Sequence, residues 1–141
     1  MKPIQRTYKF ELIPTKEQAE LLAKHFGCVR FVYNYFLDQR KKSYDQTGKA
    51  DNYHAQAKAL TGLKKEEDTH WLKEVNSQSL QYSLKCLEAA YKNFFTGRTK
   101  FPRFKSKKGK TTFHVPQSIK LEGERLYIPK FRNGIKVIQH R

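Results

Sequence analysis

Residues 6–18 read Arg6-Thr7-Tyr8-Lys9-Phe10-Glu11-Leu12-Ile13-Pro14-Thr15-Lys16-Glu17-Gln18. Tyr8, Phe10 and Leu12 alternate with their neighbours at period two, the pattern of a strand with one apolar face. Pro14 ends the alternation. Thr15 stands three residues before Gln18, the spacing of a capping box, in which a hydroxyl and a side-chain amide satisfy each other's backbone N–H groups. Leu21, Leu22 and Phe26 then recur at helical spacing. A strand therefore hands over to a helix at Pro14.

Working outward, Gly27 suits a left-handed helix end, so the first helix is expected over 15–26. Val29, Val32, Tyr33, Phe36 and Leu37 form the apolar stripe of a second helix to Tyr44, stopped by Asp45-Gln46-Thr47-Gly48. A third helix is expected near 53–65. Asn76-Ser77 opens the strongest one, with Leu80, Leu84, Leu87, Tyr91 and Phe95 on one side and Gly97 at its end. Short β-rich runs come after it at Phe113–Val115, Ile119–Leu121, Arg125–Ile128 and Ile135–Ile138, with Glu122-Gly123-Glu124 as a hairpin turn. The fold class expected is α+β: a bundle of about four helices inserted into a small, incomplete antiparallel β-barrel. The first strand should join the C-terminal ones and Ile135–Ile138 should form an open edge. The divisions are 1–14 for the first strand, 15–97 for the helices, 98–111 for a basic linker and 112–141 for the remaining strands.

The chain has 141 residues, with 29 Lys and Arg against 13 Asp and Glu, a net charge of +16. Its 38% apolar content supports a core, while 30% charged residues exceed the usual quarter or so. A surface this positive repels itself unless a polyanion neutralises it, which points to nucleic acid. No run of apolar residues is long enough to span a membrane, and the N-terminus has no signal-peptide pattern, so a cytoplasmic, nucleoid-associated protein is expected. From Ala89 to Leu121 there is no acid and nine residues are Lys or Arg. Arg98, Lys100, Arg103, Lys105, Lys107, Lys108 and Lys110 alternate with Phe94, Phe95, Phe101 and Phe104. Cations suit phosphates and flat rings suit bases; the same pattern also fits a solvated linker anchored by its phenylalanines.

Other chemistry is thin. Gly109-Lys110-Thr111 resembles the end of a phosphate-binding loop, but Phe104 stands where that motif needs Gly. The acids are scattered, and Glu122 and Glu124 fit a solvated turn better than a metal pair. Cys28 and Cys86 are far apart, and His25 with Cys28 fits core packing better than zinc ligation. No catalytic residue, metal site or cofactor is expected.

Four segments together resemble one family: Leu12–Gln18, Phe26–Asn34, Leu80–Phe95 and Lys100–Lys105. Their order and spacing are similar to the N-terminal part of TnpB, also called OrfB, a group of insertion-sequence proteins related to type V CRISPR effectors. The resemblance covers essentially the whole chain. It implies that the strands belong to a wedge-like β-barrel domain and the helices to a recognition lobe. It implies a guide RNA from the transposon end and target DNA with an adjacent motif as partners, base pairing reading the rest of the target. Tyr53, Ser77 and Gln81 match positions near the reader of that motif. Gln81 can pair with adenine and Tyr53 can pack on a base or sugar; a half-buried Tyr53 and a solvated Gln81 are the plainer alternative. The family's RuvC-like nuclease and zinc-binding insertion should come after the wedge domain, so this chain is expected to bind without cutting, with a nuclease-bearing remainder as a further candidate partner. The competing expectation is an autonomous helix-turn-helix regulator, with helices 15–26 and 29–44 joined at Gly27. The apolar stripe on the second of these argues against it, because a recognition helix exposes polar residues.

Overall fold

The computed structural model describes residues 9–49, 52–107 and 112–139. Strand β1 (Phe10–Ile13) leads into helix α1 (Lys16–Thr47) through the expected capping box. The Gln18 N–H donates to the Thr15 hydroxyl at 3.2 Å, and the Thr15 N–H donates to Gln18 Oε1 at 2.9 Å. Gln18 Nε2 also donates to the Gly134 carbonyl at 2.6 Å, so one side chain both caps the helix and fastens it to the loop before the last strand. Tyr8 lies outside the described residues.

Gly27 does not end a helix. α1 runs unbroken for 32 residues and stops at Gly48, which is left-handed with φ 74° and donates its N–H to Tyr44. The reason is tertiary. A mid-helix Gly costs roughly 1 kcal/mol, whereas His25, Cys28, Val29, Val32, Tyr33, Phe36 and Leu37 are all buried on both sides of it. Each large apolar side chain among them contributes about 1.5–3 kcal/mol. Helix α2 (Tyr53–Leu63) is capped by Asn52 and helix α3 (Ser77–Phe95) by Asn76. Among the described residues there are thus three α-helices and one 3₁₀ turn (His70–Glu74), not about four helices.

The helices enclose a core of Val32, Phe36, Leu37, Leu60, Leu72, Leu80, Leu84 and Leu87, each at most 2% exposed. A cation sits among them. Arg40, 3% exposed, donates from Nε to Gln56 Oε1 at 2.9 Å, lies 3.9 Å from the Glu88 carboxylate and stacks 5.0 Å from the Tyr91 ring centroid. Gln56 in turn donates to the Phe36 carbonyl at 3.0 Å. This network ties α1, α2 and α3 together.

His25 joins the helices to the C-terminal third of the chain. It is fully buried; Nδ1 lies 2.9 Å from the Leu21 carbonyl and Nε2 lies 3.1 Å from the Asn76 N–H. Those partners assign the neutral tautomer with the proton on Nδ1. The ring packs on Phe113 and Phe131, with centroids 5.0 and 5.3 Å away. Burial lowers its pKa, the Leu21 carbonyl opposes that, and Lys130 adds to the lowering.

After α3 the chain returns along the helices. Phe113–Val115 pairs with no strand among the described residues. Its neighbourhood is bonded to α3 instead: Ser79 Oγ donates to the His114 carbonyl at 2.6 Å, and the Gln117 N–H donates to Gln78 Oε1 at 3.1 Å. Strands β2 (Lys120–Glu122), β3 (Arg125–Tyr127) and β4 (Ile135–Gln139) then form an antiparallel sheet with β1, in the order β1-β4-β3-β2. Glu122 faces Arg125 across the hairpin, leaving Gly123 and Glu124 as the turn, with Gly123 at φ 62°. The first strand joins the last ones, as expected, through the pairs Leu12 with Val137 and Ile13 with Lys136.

One expectation fails here. β4 is interior, flanked by β1 and β3, so among the described residues the open edges are β1 and β2, and not Ile135–Ile138. The four strands of three to five residues leave those edges unjoined, and the sheet is not closed. Register places Phe10, Leu12, Leu121, Leu126, Ile135 and Val137 on one face. Gly134, at φ 69°, lies against Tyr127; a Cβ there would meet the ring at 2.9 Å.

Gly27 and His25 each carry a consequence for stability. A Cβ at Gly27 would touch only the end of the Arg30 side chain, at 3.9 Å. Gly27→Ala should therefore raise unfolding free energy by roughly 0.5–1 kcal/mol in urea titration; a loss would mean that the helix needs glycine there. Because the folded state holds His25 neutral with a lowered pKa, the unfolded chain binds the extra proton first. The contribution is complete above the unfolded value of about 6.5 and is lost as pH falls below it, by up to about 1.4 kcal/mol per pH unit. His25→Gln should flatten that dependence in denaturation series from pH 8 to pH 5 (roughly the span histidine titrates over).

Candidate nucleic-acid interface

The basic segment is fixed to α1 by a side chain that imitates a strand. Asn34 Nδ2 donates to the Lys105 carbonyl at 2.8 Å, and the Lys105 N–H donates to Asn34 Oδ1 at 2.7 Å. Both backbone groups of one residue are thereby satisfied without a ladder. Aromatic contacts hold the preceding residues: Phe101 meets Tyr91 and Phe94 edge-on at 5.5 and 5.1 Å, and Pro102 is buried. Lys41 Nζ lies 5.2 Å from the Phe101 ring and 4.6 Å from the Phe104 ring. Phe101 faces inward, as the anchored-linker pattern predicts, but Phe104 is 49% exposed.

With the backbone held, Arg98, Lys100, Arg103, Lys105 and Lys107 are all exposed. Lys105 turns its ammonium over Tyr33, 4.5 Å from the centroid. Lys108 and Lys110, like Gly109 and Thr111, lie outside the described residues. The segment thus presents a short row of cations on a fixed backbone, which lowers the ordering cost of meeting a phosphate chain.

Ser77, Gln81 and Tyr53 gather elsewhere, around α3. Ser77 and Gln81 are exposed and, four residues apart, share one face of the helix. Lys85 extends that face by one more turn, and its ammonium lies 5.8 Å from the Tyr53 ring centroid. The Tyr53 N–H donates to Glu88 Oε1 at 3.0 Å, on the carboxylate that also faces Arg40. Tyr53 is half-buried at the start of α2. Ser77, Gln81 and Lys85 thus give α3 an exposed row of hydroxyl, amide and cation, able to donate and accept at a base edge, with the half-buried Tyr53 ring beside Lys85. The basic segment is held by α1 rather than by this patch.

A further concentration of cations escapes a linear reading. Lys16, Arg125, Lys130 and Arg132 line an open cleft of about 790 Å³ between the start of α1 and the β3–β4 connection, with Glu17 at its side. Arg125 is braced there by the Asn133 and Gly134 carbonyls, at 3.2 and 3.5 Å. Folding brings these residues together from distant positions. Asn34 and Lys85 were also missed, although Asn34 stands out as a polar residue inside the Val29–Leu37 stripe and Lys85 lies four residues beyond Gln81.

Glu122 lies at an exposed hairpin. Glu122 pairs with Lys120 at 3.4 Å and faces Arg125 across the hairpin. Cys28 is buried, its thiol pushed up to about 11, chiefly by burial, and both His25 nitrogens are engaged. The His25–Cys28 pair is core, as expected. Among the described residues no group of three or more His, Cys, Asp and Glu side chains is placed to hold a metal ion, and no helix is long and apolar enough to cross a membrane.

Residues 1–49 match the helix-turn-helix domain family of OrfB proteins of the IS605 type. In the described part of that stretch the structure is one strand and one continuous helix. Over 144 aligned positions the chain is 40% identical to the protein named "Putative RNA-guided DNA endonuclease InsQ" of Escherichia coli K12, covering 97% of this chain and 36% of that one. It is 42% identical to a "Putative RNA-guided DNA endonuclease" of Streptomyces pristinaespiralis over 77% of this chain and 27% of that one. A "Virulence protein VsdF" of Salmonella dublin is 37% identical, and the match covers 96% of its length. The chain thus spans about a third of the two endonuclease relatives and nearly all of the third. It belongs to the TnpB/OrfB family of insertion-sequence proteins.

Proposed function

We propose that this chain is the nucleic-acid-binding module of a TnpB-like, transposon-associated RNA-guided DNA endonuclease system, holding guide RNA and target-adjacent DNA and not cutting by itself. The observation that carries the reading is the clamp of Asn34 on Lys105, which presents the exposed cations of 98–107 along a fixed path. The names of the two endonuclease relatives support the RNA-guided part. In this reading 15–97 is the recognition lobe, 98–111 the basic linker, and 1–14 with 112–141 the wedge-like module. Arg98, Lys100, Arg103, Lys105, Lys107, Lys108 and Lys110 neutralise phosphates, while Tyr53, Ser77 and Gln81 read the motif beside the target. Nucleic acid is bound in the cytoplasm, at the nucleoid. In this reading a nuclease-bearing remainder would supply the cut.

Two measurements test the division of labour. Replacing Arg98, Lys100, Arg103, Lys105 and Lys107 by Gln should weaken binding to every sequence and reduce the slope of log affinity against log salt by up to about 4.5, since each neutralised phosphate contributes about 0.9. An unchanged slope would reduce the segment to a solvated linker. Gln81→Ala should leave that slope intact and instead relax discrimination at one base pair, about 5- to 150-fold for loss of a bidentate contact. Equal loss on all DNA sequences would remove Gln81 from the reader.

A further inference from the structure

The last turns of α1 and the end of α3 enclose a pocket of about 400 Å³ that plays no part in the proposed phosphate and motif contacts. Tyr44, Tyr91, Phe94, Phe95 and Phe101 line it, with Lys41 and Asp45 as its charged residues. Two of the rings face solvent: Phe95 is 59% exposed and Tyr44 50%. Phe95 was expected within the apolar stripe of α3, and the structure instead turns its ring outward. That ring is backed by Tyr91 at 6.1 Å, tilted by 29°, and by Phe94 at 5.2 Å. Tyr44 stands 6.4 Å away across the opening, at 46°.

Tyr91 is the buried ring of this group. It is 4% exposed, and its hydroxyl has no hydrogen-bond partner among the described residues. Burial raises its pKa, with Arg40 opposing and Tyr33 and Asp45 adding to the rise, so the phenol stays neutral and able both to donate and to accept. That oxygen is shut away from the surface, so Tyr91 offers the pocket its ring and not its hydroxyl.

We propose that this pocket receives an unpaired nucleobase from a single strand whose phosphates run along the basic segment. The rings supply a stacking surface that any base can use. Asp45 and Lys41 supply polar groups for the base edge. Arg98 and Lys100 lie a few residues beyond Phe95 in sequence and are exposed, so phosphate and base contacts fall on one stretch of chain. A duplex keeps its bases stacked inside and offers no such group. The proposal rests on the nucleic-acid reading and adds a site to it.

The test uses the whole chain and a Tyr44→Ala/Phe95→Ala variant, both changes being at exposed positions. The probes are a short single strand with a central 2-aminopurine, the same strand with a central abasic site, and the corresponding duplex, each as DNA and as RNA to show which strand supplies the base. The parent should quench the 2-aminopurine and the variant should not. The variant should bind the base-containing strand about tenfold more weakly, with the abasic strand, the duplex and the salt slope unaffected. Phe95→Tyr should restore binding. If parent and variant bind base-containing and abasic strands alike while the salt slope persists, the pocket proposal falls and the phosphate reading stands. If the parent binds no strand at any salt concentration, both fall.

Discussion

A guanidinium buried among leucines has to be neutralised and hydrogen-bonded where it lies, and Arg40 is the point on which the helical layer turns. Its partners come from the other two helices: Gln56 from α2, and Glu88 and Tyr91 from α3. The arrangement fixes direction as well as distance, because a guanidinium donates in one plane. It also reaches the surface. Glu88 accepts from the backbone of Tyr53, so the residue that starts α2 beside the Gln81 face is positioned by the same carboxylate that balances the core cation. Tyr91, on which Arg40 stacks, forms part of the aromatic pocket.

The return path of the chain obeys a related constraint. A segment that leaves a helix and does not enter a sheet must satisfy its backbone with side chains or water. Asn34 does this for Lys105, and Ser79 and Gln78 do it for the run around His114. These clamps let an extended, positively charged segment lie on the helices without a ladder. His25 then holds both ends of the junction, through the Asn76 cap on one side and Phe113 and Phe131 on the other.

What could be read in the sequence was local chemistry. The capping box at Thr15, the caps at Asn76 and Gly48, the hairpin at Gly123 and the joining of first strand to last ones all arise from short patterns, or from strands left without nearer partners. Gly27 misled because glycine weakens a helix locally, while the burial that carries α1 through it comes from α2 and α3. Phe113–Val115 has the composition of a strand, but composition does not say whether a backbone bonds to a strand or to the Ser79 hydroxyl. The central place of β4 is a matter of strand order, which no local pattern encodes. The row of cations at 98–107 is plain in the sequence. The cleft of Lys16, Arg125, Lys130 and Arg132 is not, since it exists only after the sheet has docked on the start of α1.

The pairing of β1 with β4 joins residues more than a hundred positions apart, with all three helices between them. During synthesis the first strand emerges early and its partner late. At ordinary translation speeds the interval is on the order of ten seconds, long compared with the microseconds in which helices form. For that time Leu12 and Ile13 have no ladder, and the helical layer, with its predominantly nearer contacts, has ample opportunity to assemble first. The β1–β4 clasp, fastened by Gln18 to Gly134, can close only after that interval, and the cationic cleft beside it cannot form before the β3–β4 connection has emerged.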